Sequence, residues 1–534
     1  MSRKQKVMGV KSALRLSAIT LAGLLAVGCA TVEPTPLATQ DMKKQVQVDG
    51  EAIRKDVEPI TGPLTLEEAM ARALKYNLEH RAKMMEQALA LGQLDVGKFD
   101  MLPKIMAQAG YSSRSIPRFT ASQSYSDWVT NGTYTPSQAA SQGYSTSSEA
   151  DHYTAELGLT WSLLDVGLGY YGAKQNEARF QIASEKRRKA MHLLMQDVRN
   201  AYWRAASAQL LKAEVKKTIA LAEEAMVDSK KLAAERVKNP LEPLRYQRQL
   251  LENLRLLENI NQELSSAQVE LASLINAPLG QTIVIADADI KNIDSHIEDV
   301  PHERLEEVAM MGNPDLREQH YNTRIAQEET RRTLARLFPN LVFNYGAKYD
   351  TDNYIMNRHW NEAGLQLSFN LMNLFTGNTQ MKLAEAGVKL ADQRRIAMQM
   401  TVLTQMHLAR LAVINSRSQF ERADAVYKTD QKISEVMRAR QSVQQQSKLD
   451  LVSTQASEIL SLLRRYQALA QVQVAENRLI ATLGLDMDIG SLSEVSLKDL
   501  TEKIRQNKAP WKQLIEGATK ADQLVKVPTV VSKW

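Results

Sequence analysis

Long stretches of this chain carry apolar residues at helical spacing and contain no glycine. The first runs from Ala173 to Leu279, with Pro240 and Pro243 near its middle. It predicts two long antiparallel helices joined by a turn at 238–240, and the first limb would be about 100 Å long. In the second limb the apolar seam alternates spacings of four and three, as in a coiled coil: Leu250, Leu254, Leu257, Asn261, Leu264, Gln268, Leu271 and Ile275. This stripe is too long for one compact core and needs lateral neighbours along its whole length.

A second helical hairpin follows later in the chain. Residues 388–483 contain neither glycine nor proline, and the first limb is predicted to end near Gln446. The second limb has its own seam at Leu449, Val452, Ala456, Ile459, Leu463, Tyr466 and Ala470. The pattern therefore predicts a second pair of long antiparallel helices.

Before each hairpin the apolar period changes from helical to two, which indicates strands. The change begins at Lys104 and is clearest in 153–161, where Tyr153, Ala155, Leu157, Leu159 and Trp161 alternate with polar residues and glycine. Two more alternating segments are 341–349 and 363–371. In each predicted strand one face is apolar and the other is polar. This pattern fits a soluble sheet whose apolar face packs on a core, and it also fits a membrane barrel whose apolar face contacts lipid and whose polar face contacts water.

The chain contains an internal repeat. Asn313-Pro-Asp315 follows Asn77-Leu-Glu79 by 236 residues, and Phe338-Pro339 follows Leu102-Pro103 by the same distance. We therefore predict repeat 1 at 64–280, a linker at 281–301, repeat 2 at 302–484 and an equatorial C-terminal segment at 485–534. Each repeat would comprise a helix, two strands and a long helical hairpin. The first helix would open at the capping box of Thr65, bend at Tyr76-Asn77 and end near Asp100.

Four strands per chain are too few to close a barrel, and open strand edges cannot face lipid. The chain must therefore share a barrel with copies of itself, and the predicted fold class is an α+β membrane protein with long helical hairpins. The loops 115–150 and 350–361 lie at the ends of the strands far from the helices, and we expect them outside the cell.

The N-terminus has the features of a bacterial lipoprotein signal. A basic segment precedes an apolar run at 16–27 that is too short to span a bilayer, so 1–28 is predicted to be a signal peptide. Leu25-Ala26-Val27-Gly28-Cys29 resembles a lipobox, in which Cys29 becomes the lipidated first residue; the alternative is an ordinary cleaved signal with an incidental cysteine. Residues 29–63 would form an extended segment after the anchor.

Charge and composition exclude several other classes. The net charge is +6, and five of these charges lie in the predicted signal peptide, which argues against nucleic-acid binding. Cys29 is the only cysteine, no histidines stand at metal-binding helical spacing, and no phosphate loop or nucleophile elbow is present. We expect solvated histidines, a solvated helical face at 185–189, no metal, no cofactor besides the lipid, and no enzymatic activity.

The sequence motifs of this chain, in the order in which they occur, resemble those of the outer-membrane efflux proteins of the TolC family, in their lipoprotein branch. The resemblance rests on short motifs along 64–484: Leu64-Thr-Leu-Glu-Glu-Ala69, Leu102-Pro103, Trp161-Ser-Leu-Leu-Asp165 with its counterpart Phe369-Asn-Leu-Met-Asn373, Arg199-Asn-Ala-Tyr202, Leu279-Gly280 and Leu483-Gly484. It implies a homotrimer that forms one 12-stranded β-barrel in the outer membrane, with four strands per chain, continued by a coiled-coil helical barrel in the periplasm. A periplasmic adaptor and an inner-membrane pump would dock below it, and the duct would carry drugs or other small molecules.

The second hairpin turn is similar to the tip motif of that family. Arg440, Ser447 and Asp450 match it, while Gln444 stands where the family has glycine. The first turn, at Asn239 and Pro240, departs further, since prolines occupy the glycine and serine positions. The resemblance implies an aspartate ring at the channel entrance; alternatively, Asp450 only complements the dipole of a new helix.

Two other functions stay open from the sequence. A duct of this kind could serve type I protein secretion, because the pump chooses the cargo. A non-conducting coiled-coil envelope lipoprotein is a further alternative, although a rod of that kind does not need four strands.

Overall fold

The computed structural model describes residues 36–121, 144–235, 241–281, 283–286, 300–442, 448–486 and 495–506. The chain divides into two compact units, Met1–Glu58 and Pro59–Trp534. In the first unit, helix α1 (Thr39–Arg54) occupies a segment that the sequence predicted to be extended. The prolines behind that prediction flank the helix, whereas Asp41 in its first turn and Arg54 in its last complement the helix dipole.

The second unit presents a similar order of elements twice. The first half contains α2 (Leu66–Tyr76), α3 (Leu78–Phe99), β1 (Lys104–Ser113), β2 (Arg118–Ala121), β3 (Tyr144–Ser148), β4 (Asp151–Ser162), α4 (Leu163–Glu235) and α5 (Leu241–Leu274). The second contains α6 (His302–Gly312), α7 (Pro314–Arg336), β5 (Asn340–Asp350), β6 (His359–Ser368), α8 (Asn373–Ser442) and α9 (Lys448–Leu483). Helix α10 (Leu497–Gln506) follows and packs on α2.

Asparagine side chains divide the leading helix of each half. Asn77 accepts a hydrogen bond from the backbone of His80 and caps α3, while Asn313 caps α7 through Asp315 and Leu316. Each amide also donates to the end of its own hairpin, Asn77 to the Leu274 carbonyl at 3.1 Å and Asn313 to the Thr482 carbonyl at 2.9 Å. The helix predicted over 65–100 is therefore two helices, and the break connects it to the hairpin.

The long helices begin earlier than the sequence predicted. Helix α4 starts directly after β4 and α8 starts at Asn373, so both include glycines that we expected to precede a helix. A Cβ atom on Gly169 would lie 3.1 Å from the carbonyl carbon of Asp100, so this glycine permits a close approach to the end of α3. With 73 and 70 residues, α4 and α8 are each about 105–110 Å long.

Four strands form one antiparallel sheet in the order β1-β4-β5-β6. Leu157 of β4 lies between Ala107 of β1 and Ala347 of β5, so the residues predicted on the apolar face share that face. Strand β6 ends at Ser368, before the last two apolar positions of the predicted strand. Strands β2 and β3 form a separate two-stranded sheet within the segment predicted as a loop.

The helices next to the sheet repeat its order. Helix α3 packs on α4, α4 on α7, and α7 on α8. Because α3 leads into β1, β4 into α4, α7 into β5 and β6 into α8, the two layers are continuous. One lateral edge of both layers is α3 with β1, and the other is α8 with β6.

The hairpins pack on each other through coiled-coil seams. Apolar residues of α4, α5 and α9 share one buried cluster, which includes Leu211, Leu257 and Leu463. Another cluster joins α6, α8 and α9 and includes Leu305, Met406 and Leu479. None of the described helices has a stretch that is long and apolar enough to cross a membrane.

Candidate functional site

The apolar face of the four-stranded sheet is exposed. On β4, Leu157 is 56% exposed, and on β6 both Leu365 and Leu367 are 70% exposed. Tyr111, Tyr153, Phe343 and other large apolar side chains on this face are likewise exposed. Apolar surface of this extent is unfavourable in water, so the face requires a lipid or protein covering.

Aromatic side chains lie toward both ends of this face. Tyr111 and Tyr153 lie opposite each other near the loop end, with ring centroids 4.9 Å apart. Trp161 and Phe343 are paired at the end near the helices. The eight residue steps from Tyr153 to Trp161 rise about 26 Å, close to the apolar band of about 25 Å that aromatic girdles flank in membrane strands.

The opposite face of the sheet is polar. Thr160 donates to Asn344 at 3.1 Å, and Lys348 lies 2.8 Å from Glu362 and 3.8 Å from Glu156. These contacts join neighbouring strands through side chains that remain partly accessible to water. The sheet therefore presents an apolar surface on one side and a hydrated, charged surface on the other.

Among the described residues, no further strand pairs with either lateral edge of the four-stranded sheet. Strands β1 and β6 each have one neighbour in the sheet. On α3, the exposed residues Leu78, Met85, Leu89 and Val96 follow each other by seven, four and seven positions, which places them on one helical face. Helix α8 at the other edge also exposes apolar side chains, among them Leu383, Leu390, Leu408, Val426 and Ile433.

A charged cluster joins the two halves at the end of α9. Arg188 of α4 forms an ion pair with Glu185, and its Nε donates to Asp486 at 2.6 Å. Glu185 also accepts from Arg317 at 2.7 Å, and His192 Nε2 lies 3.0 Å from Asp486. Burial by itself would raise the pKa of Asp486, but the His192 hydrogen bond and the charge of Arg188 outweigh it and lower that pKa.

The burial of several charged and histidine side chains shows that two predictions were wrong. Glu185 and Arg188 belong to the segment predicted as a solvated helical face, yet their side chains are only 3% and 11% exposed. His80 and His192 are also buried, where we expected solvated histidines. The pattern of charges in 185–189 resembles a surface helix because the partners, Arg317 and Asp486, are distant in sequence.

Two glycine backbones meet beside the charged cluster. Gly484 has φ +67°, and a Cβ atom there would lie 1.9 Å from the carbonyl oxygen of Gly312. Arg188 donates to both carbonyl oxygens, at 3.4 Å for Gly312 and 3.2 Å for Gly484. The end of the second hairpin therefore packs directly on the break between α6 and α7.

At the other end of the sheet, Asp352 connects the two loop regions. Its carboxylate is buried and accepts from the backbone amides of Glu149 at 3.2 Å and Tyr354 at 3.0 Å. Burial alone would raise its pKa, but the hydrogen bonds from Ser148 and these amides lower it. The end of the long first loop is thus fixed to the short second loop.

The predicted tip and anchor residues are only partly described. Cys29, Asn239, Pro240, Gln444 and Ser447 lie outside the described residues. Arg440 is exposed in the last turn of α8, and Asp450 is exposed in the first turn of α9. This position suits the dipole role of Asp450 and leaves the ring hypothesis open.

Within the described residues, no group of three or more histidine, cysteine or acidic side chains could hold a metal ion. The arrangement that the described residues do show is a two-faced sheet with open edges, continued by long helices.

No family model and no curated protein matches the chain. Solved structures do: the Campylobacter jejuni CmeC outer membrane channel has 14% identity and a TM-score of 0.60, covering 82% of this chain and 89% of that one. The outer-membrane channel OprN has 15% identity and a TM-score of 0.59, with 78% and 89% coverage. The open state of the Neisseria gonorrhoeae MtrE outer membrane channel has 14% identity and a TM-score of 0.59, with 78% and 88% coverage. The likeness confirms the predicted fold of the single chain, which is mostly helical with a small sheet.

Proposed function

We propose that this chain, which has the fold of the TolC-family outer-membrane channels, is one protomer of a trimeric exit duct. The duct passes small molecules out through the outer membrane. The observation that carries this proposal is the exposed apolar face of the sheet, whose edge strands β1 and β6 have one neighbour each among the described residues, together with the exposed apolar stripes of α3 and α8.

Trimer formation pairs the edge strands β1 and β6 and covers the exposed stripes of the edge helices α3 and α8 in one arrangement. Neighbours in the sheet are antiparallel throughout, so β1 and β6 run in opposite directions. Pairing β1 of one copy with β6 of the next continues the antiparallel pattern, and three copies give twelve strands. The exposed stripes of α3 and α8 lie at the same two edges, so the same rotation packs them together.

The resulting barrel places its apolar face against lipid and its polar face around water. The aromatic residues Tyr153 and Trp161 lie near the two membrane interfaces. Because α4 and α8 leave the sheet at the end opposite the loops, the loops face outside and the helices extend into the periplasm. Each copy of the chain then contributes two repeats, and each repeat provides one long helical hairpin.

The anchor and partners of the proposal follow from the sequence. Cys29 carries the lipid that attaches the N-terminus to the outer membrane. The ends of α4 and α8 that lie away from the sheet, at Glu235 and Ser442, face a periplasmic adaptor and an inner-membrane pump. The duct performs no chemistry and needs no metal.

Purified full-length protein in planar lipid bilayers tests the proposal. We expect discrete conductance steps and a detergent-resistant trimer. Changing Met85 and Leu89 on the α3 stripe to glutamine should reduce the trimer fraction, while Lys83→Gln, about 140° from that stripe on the same helix, should not. A well-folded monomer without conductance would support the non-conducting lipoprotein instead.

The choice between small-molecule efflux and protein secretion needs cells. A strain that lacks its exit duct should regain dye export when it expresses this chain with its pump and adaptor. Restored secretion of a protein substrate without dye export would favour the type I secretion role.

A further inference from the structure

Four side chains meet on the polar face of the sheet across three neighbouring strands. Glu156 of β4 lies opposite Lys348 of β5, and Lys348 lies opposite Trp360 of β6. Lys348 Nζ is 2.8 Å from Glu362 and 3.8 Å from Glu156, and the Trp360 indole donates a hydrogen bond to Glu362. We call Glu156, Lys348, Trp360 and Glu362 the charged patch.

Two glycines leave space above the backbone on the polar face of the sheet beside the charged patch. Gly158 and Gly346 lie directly opposite each other on the same face. A Cβ atom on Gly346 would be only 3.2 Å from Glu156 Oε1, so the carboxylate occupies space that any larger residue would need. The patch side chains remain accessible: Glu362 is 59%, Glu156 39% and Lys348 31% exposed.

The charges of the patch do not cancel. Two carboxylates share one ammonium group, so the patch has one excess negative charge per chain. Trp360 adds an accessible aromatic ring, whose face attracts cations. Carboxylates repel anions, and carboxylates beside an indole attract an organic cation more strongly than a small inorganic one.

We infer that the charged patch is a selectivity element of the duct, which favours organic cations over anions. The inference rests on the proposed function, because only the closed barrel places this face around the transported molecules. Three copies of the patch then lie at one level of the pore. Glu156 and Glu362 provide the charge preference, Trp360 the preference for organic cations, and Lys348 holds Glu362 in place.

The expected effect is measurable at moderate salt. A unit charge about 10 Å from an ion in water changes the local concentration of that ion about twofold. The Debye length is about 10 Å at 0.1 M salt, so the effect should persist there and fade near 1 M. Each such charge attracts a cation and repels an anion, so it changes the cation-to-anion permeability ratio about fourfold, and removing both carboxylates should reduce that ratio by about an order of magnitude.

The test uses reversal potentials of the full-length protein in planar bilayers under a potassium chloride gradient. We compare the parent with Glu156→Gln plus Glu362→Gln, and with Glu502→Gln on α10 as a control that removes the same type of charge elsewhere. The double variant leaves Lys348 as the one remaining charge of the patch, so an anion preference should replace the cation preference at unchanged trimer content, and the control should keep the cation preference. Lys348→Met should increase the cation-to-anion permeability ratio about fourfold.

A second measurement replaces potassium by tetraethylammonium. Trp360→Leu should lower the tetraethylammonium-to-potassium permeability ratio and leave the potassium-to-chloride ratio unchanged. If the parent and the double variant both conduct with equal reversal potentials, the inference is wrong and the proposed function stands. If the parent itself shows no conductance, the proposed function fails, and this inference fails with it.

Discussion

Alanine in place of Gly484 should loosen the junction between the two halves. Gly484 and Gly280 close the two hairpins, and both have positive φ, +67° and +91°. A Cβ atom on Gly484 would lie 1.9 Å from the Gly312 oxygen, whereas one on Gly280 would have no atom within 4 Å. Gly280→Ala is therefore a matched control with the backbone strain and without the collision.

The structure gives the size of the difference. A left-handed backbone costs an alanine about 1–2 kcal/mol, and both variants incur this cost. In Gly484→Ala the neighbouring backbone must also move, which weakens the hydrogen bonds from Arg188 to the Gly312 and Gly484 carbonyls. Loss of such buried bonds adds about 1–3 kcal/mol, so we expect about 3 kcal/mol in total.

Amide hydrogen exchange measures this local opening. The amide of Leu485 bonds to the Ile480 carbonyl at 3.1 Å, and the amide of Ala277 bonds to the Ala272 carbonyl at 2.8 Å. In Gly484→Ala the peptide around Leu485 should exchange about 100-fold faster than in the parent. In Gly280→Ala the peptide around Ala277 should accelerate only about tenfold, because each 1.4 kcal/mol is about a factor of ten.

Equal acceleration of amide exchange in Gly484→Ala and Gly280→Ala would contradict this prediction. It would mean that backbone strain alone determines both effects and that the contact between Gly484 and Gly312 contributes nothing. Unchanged exchange in Gly484→Ala would show that the junction adjusts freely to a methyl group.

Three further predictions concern single side chains. Asp486→Asn should reduce stability at pH 7 by about 1 kcal/mol, discounted for its partial exposure. The pKa of Asp486 lies below the ordinary 3.8, so its ionised carboxylate stabilises the parent fully above pH 3.8. The stability difference between the parent and Asp486→Asn should disappear as the pH falls through the lowered pKa, and urea unfolding at pH 7 and pH 2 measures that difference. Cys29→Ser should abolish incorporation of labelled fatty acid, and a mature protein without label that begins elsewhere would contradict the lipid anchor. Asp450→Asn should leave the trimer intact and raise single-channel conductance or weaken block by divalent cations; identical recordings would leave Asp450 with the helix-dipole role alone.

The sequence predicted the sheet and the hairpins because their periodicities are long and each has one consistent face. Alternation in 153–161 was sufficient to place Leu157 and Trp161 on one side of β4, where the structure has them. The starts of α4 and α8 were not predictable in this way, because Gly169 and Gly377 permit close packing inside a helix. A single sequence does not distinguish such a glycine from one that ends a helix.

The charged cluster at the junction was missed for a different reason. Glu185 and Arg188 stand in a run of charges, and their spacing is that of a solvated helix. Their burial depends on Arg317 and Asp486, which only the tertiary fold brings close. Helix α1 was missed because the flanking prolines dominated the composition of that segment.

The central claim is that three chains share one barrel, and a cryo-electron-microscopy structure of the full-length protein in lipid nanodiscs tests it most directly. The account predicts three copies, with β1 of one copy paired to β6 of the next and with Leu157 and Leu365 facing lipid. A structure in which β1 and β6 stay unpaired, or in which the apolar sheet face is buried against helices of the same chain, would contradict it.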